Sequence, residues 1–116
     1  MERDPRAYLW DMQAAAEAIV EFTAGKTLDD YLEDRMLRSA VERQFEIIGE
    51  ALNQLCKLDP QWTGRIPDAP QIVAFRNLLI HGYASVNDRT VWATVEESLP
   101  SLLTVVTELL AGTGAP

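Results

Sequence analysis

The sequence predicts an all-α protein, an up-and-down bundle of four helices with one short extra helical turn. Apolar residues recur at three- and four-residue spacing along four stretches, which is the pattern of amphipathic helices. Capping residues, glycines and prolines separate these stretches by short connections. No segment of the sequence shows the two-residue alternation of a strand. At 116 residues, the chain is expected to be a single domain, 1–116, ordered from about residue 4 to residue 111.

The first helix is predicted to begin at Asp4-Pro5. Aspartate is a favoured N-cap, and proline suits the first helical position because its missing N–H is not needed there. Gly25 is expected to end this helix. Trp10 lies off the apolar stripe, so packing on another element and contact with a partner subunit both stay open. The stripe comprises Leu9, Met12, Ala16, Ile19, Val20 and Thr23.

The short extra turn, 28–32, and a long second helix, 34–57, follow next. Thr27 and Asp30 form a pair like a capping box at the start of the turn. Gly49 stands in the middle of the long helix, where glycine costs about 1 kcal/mol relative to alanine. Close approach of another helix would explain that glycine. The predicted inner face comprises Leu37, Val41, Gln44, Phe45, Ile48, Ala51, Leu52 and Leu55.

The segment 59–70 is predicted to be a loop within the domain, because three prolines and a glycine fall in it. Trp62 is expected to pin this loop to the core. The third helix should start at Asp68 or Pro70 and end before Gly82. Its predicted buried stripe comprises Ile72, Phe75, Leu78 and Leu79.

The fourth helix is predicted to start at Asn87 or Asp88 and to run to about Leu110. Pro100 falls inside it and should interrupt and kink it, because proline removes one backbone hydrogen bond. The tail 112–116 is predicted to be disordered. The apolar face comprises Val91, Trp92, Val95, Leu99, Leu102, Leu103, Val106 and Leu110.

The composition limits the classes of function. Net charge is −8 with only ten Lys and Arg, so extended, sequence-independent binding of nucleic acid is not expected, although a site that grips one or two phosphates stays open. The single cysteine, Cys56, cannot form an intrachain disulfide. No apolar run approaches the roughly 20 residues that span a bilayer, and the charged N-terminus lacks an apolar signal core. We therefore expect a cytoplasmic protein without a membrane segment.

Chemically useful side chains concentrate in residues 76–83, which include the only histidine of the chain. At about 100° per residue, Asn77 and His81 share a helix face, whereas Arg76 and His81 lie roughly 140° apart. Arg76 and Tyr83, seven residues apart, would also share a face. An imidazole can accept and release a proton near neutral pH, and a guanidinium can bind phosphoryl oxygens. Singly, each residue is more simply explained as a helix cap, an ion-pair partner or a packing residue.

These residues resemble the signature of the HEPN superfamily, in its HepT-like toxin branch. The resemblance starts from the pattern Arg76-x4-His81-x-Tyr83 with Asn77 after the arginine, and extends over roughly residues 4–108. One departure is that Ile66-Pro67 is followed here by aspartate, where many relatives have tryptophan. Further matching segments are Ile47-Ile48-Gly49-Glu50-Ala51, Val91-Trp92, Leu99-Pro100-Ser101-Leu102, and Arg6, Leu9 and Asp11.

The resemblance implies a metal-independent endoribonuclease toxin of a type VII-like toxin–antitoxin pair. Arg76 would stabilise phosphoryl charge, and His81 would act as base or acid. Asn77 would orient the imidazole or the phosphate, while Tyr83 would bind phosphate or stack on a base. A partner, a minimal nucleotidyltransferase antitoxin, would silence the toxin by transferring AMP to Tyr83. Family members are dimers with facing motifs, so a C2 homodimer with RNA as substrate is implied.

Two questions stay open at this stage. Glu50 either orients Arg76 or His81 from the neighbouring helix, or is a solvated or otherwise paired carboxylate. The whole protein is either the ribonuclease or a non-catalytic, nucleotide- or partner-binding helical dimer of the same module. One histidine, one cysteine and scattered carboxylates form no metal-ligand cluster in the sequence, so we predict neither a metal site nor a cofactor.

Overall fold

The computed structural model describes residues 3–113, which form a helical bundle without a strand in that range. The all-α fold class is thereby confirmed. A 3₁₀ turn at Tyr83–Ser85 is the one non-α helical element among these residues. The helices are α1 Pro5–Thr23, α2 Leu28–Glu33, α3 Arg35–Leu58, α4 Gln61–Arg65, α5 Ala69–His81, α6 Asp88–Glu97 and α7 Leu99–Thr113.

The predicted helix starts are formed by the expected caps. The Asp4 carboxylate accepts a hydrogen bond from the Arg6 backbone N–H at 2.8 Å, with Pro5 at the first helical position. Thr27 and Asp30 form a complete capping box, each side chain accepting from the other's backbone N–H. These local contacts explain why the beginnings of α1 and α2 could be predicted correctly from the sequence.

The long helix α3 is the centre of the bundle. It packs against α1 on one side and α5 on the other, while α7 packs on α1 and α6 on α7. Seven of the eight predicted inner positions of α3 are buried, and the eighth, Gln44, is half-buried. The apolar stripe therefore faces the core as its spacing predicts. The buried positions are Leu37, Val41, Phe45, Ile48, Ala51, Leu52 and Leu55.

The structure divides the predicted fourth helix into α6 and α7. Helix α6 ends at Glu97, and α7 begins at Leu99 with Pro100 as its second residue. Proline lacks the N–H for a continuous helix and collides with the carbonyl four residues earlier, but fits the first turn of a new helix. The predicted interruption is thus present, as a break at Ser98. Helix α7 continues through Thr113, past the predicted start of the disordered tail, and residues 114–116 lie outside the described range.

The predicted loop 59–70 contains a short helix, α4, that the sequence analysis did not anticipate. Trp62 on α4 is buried, as expected of a residue that pins this segment, and the Arg65 guanidinium lies over its ring at 4.3 Å from the centroid. Pro60 directly precedes α4 and Pro67 follows its end, so these two prolines flank a short helix and do not exclude one. None of the helices within residues 3–113 is long and apolar enough to cross a membrane.

Helix α5 packs closely against α3 at Gly49. A Cβ at that position would collide with the Cβ of Arg76 and lie 3.3 Å from the backbone oxygen of Ile72. The mid-helix glycine is therefore explained by the close approach of another helix, as predicted. This contact fixes Arg76 against α3 and so sets the geometry of the candidate site.

Candidate active site

Arg76 projects from α5 onto α3, where two side chains hold its guanidinium. Its Nη2 donates to Oε2 of Glu50 at 2.5 Å, and its Nη1 donates to Oδ1 of Asn77 at 2.7 Å. Of the two alternatives left open for Glu50, the structure shows the contact with Arg76. Charge-assisted hydrogen bonds of this kind are short and fix the orientation of the planar group.

Gln54 extends this set of contacts, and the sequence analysis did not single it out. Its Nε2 donates to Oε1 of Glu50 at 3.1 Å, one helical turn further along α3. Both carboxylate oxygens of Glu50 are therefore engaged, one by Gln54 and the other by Arg76. The available signal in the sequence was the four-residue spacing between Gln54 and Glu50, because residues so spaced are neighbours on one face of a helix.

Arg76 is largely withdrawn from solvent. Its side chain is 21% exposed, against 44% for Glu50, and its Nε lies buried with no hydrogen-bond partner among residues 3–113. Two terminal N–H groups are taken by Glu50 and Asn77, so one N–H on each terminal nitrogen is left for another acceptor. That arrangement suits an anion with two oxygens, such as a phosphate group.

His81 is the last residue of α5 and is exposed. Its imidazole makes no hydrogen bond or ion pair with any described residue. Asn77, expected on the same face, directs its carbonyl oxygen to Arg76 instead. Gly82 caps the helix as predicted, since its N–H bonds to the carbonyl of Leu78.

Tyr83 lies outside α5, at the start of the 3₁₀ turn, and is 78% exposed. The shared helix face predicted for Arg76 and Tyr83 is therefore wrong, because the helix ends at His81. Leu78 was predicted to be buried but is 40% exposed, and Ile80 is 37% exposed. Apolar and aromatic side chains thus remain uncovered on both sides of His81.

A groove of about 460 Å³ opens beside Arg76, between α1, α3 and α5, and we refer to it as the Arg76 groove. Another cavity, of about 500 Å³, lies between α3, α5 and the junction of α6 and α7. None of the sequence-predicted site residues lines that cavity, whereas Arg76 and Glu50 both line the groove. We therefore take the groove as one part of the candidate site; Asn77, His81 and Tyr83 do not line it. Within residues 3–113, no three His, Cys, Asp or Glu side chains gather as potential metal ligands.

The chain matches the family model described as "Ribonuclease HepT-like" over residues 12–109. It is 39% identical to the "Probable ribonuclease HepT" of Thermococcus cleftensis over 106 residues, 88% of this chain and 92% of that protein. It is 32% identical to "Putative RNase MJ1380" of Methanocaldococcus jannaschii over 103 residues, 87% of this chain and 92% of that protein. No solved structure gives a significant match. The chain therefore belongs to the HepT-like ribonuclease family of the HEPN superfamily.

Proposed function

We propose that this protein is a metal-independent endoribonuclease that cleaves RNA at Arg76 and His81 and acts as the toxin of a type VII-like toxin–antitoxin pair. One observation carries the proposal. A guanidinium that is oriented by Glu50 and Asn77 keeps free N–H groups, and an exposed imidazole without a partner follows it five residues later. Membership of the HepT-like family supports ribonuclease as the class of activity.

These residue types suffice for cleavage by an internal nucleophile. The ribose 2′-hydroxyl attacks the adjacent phosphorus, a new P–O2′ bond forms, and the P–O5′ bond breaks. His81 either takes the proton from the 2′-hydroxyl or gives one to the departing 5′ oxygen. Arg76 stabilises the negative charge that builds up on the phosphoryl oxygens. The products are a 2′,3′-cyclic phosphate and a 5′-hydroxyl end.

A C2 homodimer would supply a second imidazole. One His81 per chain cannot easily serve as base and acid on opposite sides of one phosphorus, but two facing copies can. The exposed Leu78, Ile80 and Tyr83 around His81 offer apolar surface for such an interface. The dimer is accordingly part of the proposal.

Tyr83 is the proposed site of control. Its phenol is exposed, so a nucleotidyltransferase antitoxin could transfer AMP to it from ATP, with release of pyrophosphate. The new phosphodiester adds bulk and negative charge two residues after His81, where it would oppose the approach of a substrate phosphate.

The test is cleavage of a single-stranded RNA by the purified protein in the presence of EDTA. We expect products with cyclic phosphate ends, and a loss of at least about 100-fold in Arg76→Ala and in His81→Ala. The matched control is Arg89→Ala, an exposed arginine on α6. Co-expression with a nucleotidyltransferase encoded next to the gene should add the mass of AMP to Tyr83 and abolish cleavage. Wild-type protein that neither cleaves RNA nor accepts AMP would instead favour the non-catalytic helical dimer.

A further inference from the structure

The Arg76 groove extends well beyond Arg76 and Glu50. Its volume of about 460 Å³ falls within the roughly 300–1,000 Å³ of small-molecule sites. It extends from Arg76 and Ile80 on α5, across α3, to the beginning of α1. A ligand group bound at Arg76 would therefore have neighbouring surface on which the rest of the ligand could lie. The lining residues used below are Arg3, Tyr8 and Asp11 near the start of α1, and Arg43, Glu46 and Ile47 on α3.

The net charge of the residues that line the groove differs from the net charge of the whole chain. Three arginines and three carboxylates line it and balance each other, whereas the whole chain has a net charge of −8. A polyanion is repelled by most of this surface but not by the groove. Three ion pairs account for the balance, namely Arg3 with Asp11, Arg43 with Glu46 and Arg76 with Glu50.

One end of the groove presents surface suited to a nucleobase. The Arg3 guanidinium lies over the Tyr8 ring at 4.8 Å from the centroid, and the aliphatic side chain of Ile47 lines the same groove. Nucleobases stack on aromatic rings and on guanidinium planes without strong dependence on sequence.

Arg43 is the arginine of the groove that is most available to a ligand. Its side chain is 67% exposed, and its contact with Glu46 is long, at 3.5 Å. An exposed pair of this kind contributes little energy, so Arg43 can exchange the carboxylate for a phosphate at small cost. Arg76, in contrast, is 21% exposed and held in place.

We propose that the Arg76 groove binds the nucleotide that flanks the scissile phosphate of a single-stranded RNA. The base lies against Tyr8 and Arg3, the next phosphate is bound by Arg43, and the scissile phosphate is at Arg76. This inference rests on the proposed ribonuclease activity, and it assigns substrate binding to residues of α1 and α3 outside the Arg76–His81 pattern.

Binding is tested with a fluorescent, fully 2′-O-methylated tetranucleotide, which cannot be cleaved because it lacks the nucleophilic hydroxyl. In fluorescence anisotropy, Tyr8→Leu should raise Kd by about 5-fold or more, while Tyr8→Phe, which keeps the ring, should stay within about 2-fold. Arg43→Gln should weaken binding and reduce the slope of log K against log salt concentration by about 0.7. Arg89→Gln is the matched control for loss of one exposed positive charge, and thermal melts show that each variant is folded.

The outcomes separate this inference from the proposed function. If Tyr8→Leu and Arg43→Gln bind the probe like the wild type while RNA is still cleaved, the groove assignment is overturned and the nuclease stands. If the wild type does not cleave RNA but binds the probe in a manner dependent on Tyr8 and Arg43, the groove assignment holds and the nuclease fails. Wild-type protein that does not bind the probe overturns the groove assignment directly.

Discussion

At the scale of residues, the candidate site depends on how Arg76 is held. Glu50 and Asn77 each accept one of its terminal N–H groups, and Gln54 in turn fixes Glu50. A flexible arginine loses side-chain entropy when it binds phosphate, and prior contacts reduce that loss. In the proposed reaction, Glu50 and Gln54 are therefore positioning residues, which act through Arg76.

Glu50→Gln tests this positioning role because it keeps the size of the side chain and removes its charge. We expect kcat for RNA cleavage to fall roughly 10- to 100-fold, with little change in KM, because the guanidinium is misplaced for the transition state. Gln54→Leu should also lower kcat for RNA cleavage, but by a smaller factor. A Glu50→Gln protein with equal or higher kcat would show that the carboxylate competes with phosphate instead.

The ionisation of Glu42 is predicted to make the stability of the fold depend on pH. Burial first, then the charges of Asp88 and Glu46, raise the pKa of its carboxyl above the ordinary 4.5, although Arg38 opposes them. The folded protein then holds this proton more tightly than the unfolded chain, so stability is lost as pH rises above about 4.5. Glu42→Gln should raise Tm at pH 7, and the gain should disappear at pH 4.

Circular dichroism melts at the two pH values measure the effect of Glu42→Gln. Glu33→Gln, an exposed glutamate at the end of α2, is the matched control and should change Tm little at either pH. An equal gain in Tm for Glu42→Gln at pH 4 and pH 7 would contradict the assignment to ionisation.

At the scale of elements, the contact between α3 and α5 determines where the site lies. The stripe on α3 buries one face in the core, but the direction from which α5 approaches depends on Gly49, which has no Cβ to keep Arg76 away. The same approach places Arg76 within reach of Glu50, the next residue on α3. The packing of α5 on α3 and the contact between Arg76 and Glu50 therefore depend on the same close approach.

Gly49→Ala should separate these two helices. We expect a loss of about 1–3 kcal/mol in the free energy of unfolding, because the added methyl group meets the Cβ of Arg76 and a backbone oxygen rather than a flexible side-chain end. The rate of RNA cleavage should fall as well, because Arg76 is displaced from its position against α3. Urea titration measures the stability, and Gly64→Ala on α4, where an added Cβ meets nothing within 4 Å, should cause no loss and a gain of at most about 1 kcal/mol, because alanine favours the helix. A tolerated Gly49→Ala would refute the close approach.

At the scale of the whole molecule, the proposed reaction needs a second imidazole that a single chain does not supply. His81 is exposed and has no partner among residues 3–113, whereas Arg76 is turned toward α3. Exposed Leu78 and Ile80 lie on the same helix end. A second copy bound there would cover apolar surface and add a second imidazole.

The proposed dimer makes a prediction on mass and activity. Analytical ultracentrifugation should give twice the chain mass of 13.0 kDa. Leu78→Asp places a charge in the proposed interface at a residue that does not line the Arg76 groove, so it should shift the protein to monomer and reduce cleavage in parallel. Met36→Asp, at a 79% exposed apolar residue on α3, is the matched control and should leave the mass unchanged. A wild-type monomer that cleaves RNA at full rate would exclude the dimeric site.

The sequence by itself determined the helical class, the caps of α1 and α2, the inner face of α3 and the family, because local hydrogen bonds and apolar spacing act within one helix. For Glu50 it left two alternatives open, of which a contact with Arg76 was one. Only the tertiary structure decided that Asn77 contacts Arg76 rather than His81, and that Gln54 joins the site through Glu50. Those outcomes depend on the distance and orientation between α3 and α5, which the spacing of residues along one helix does not encode.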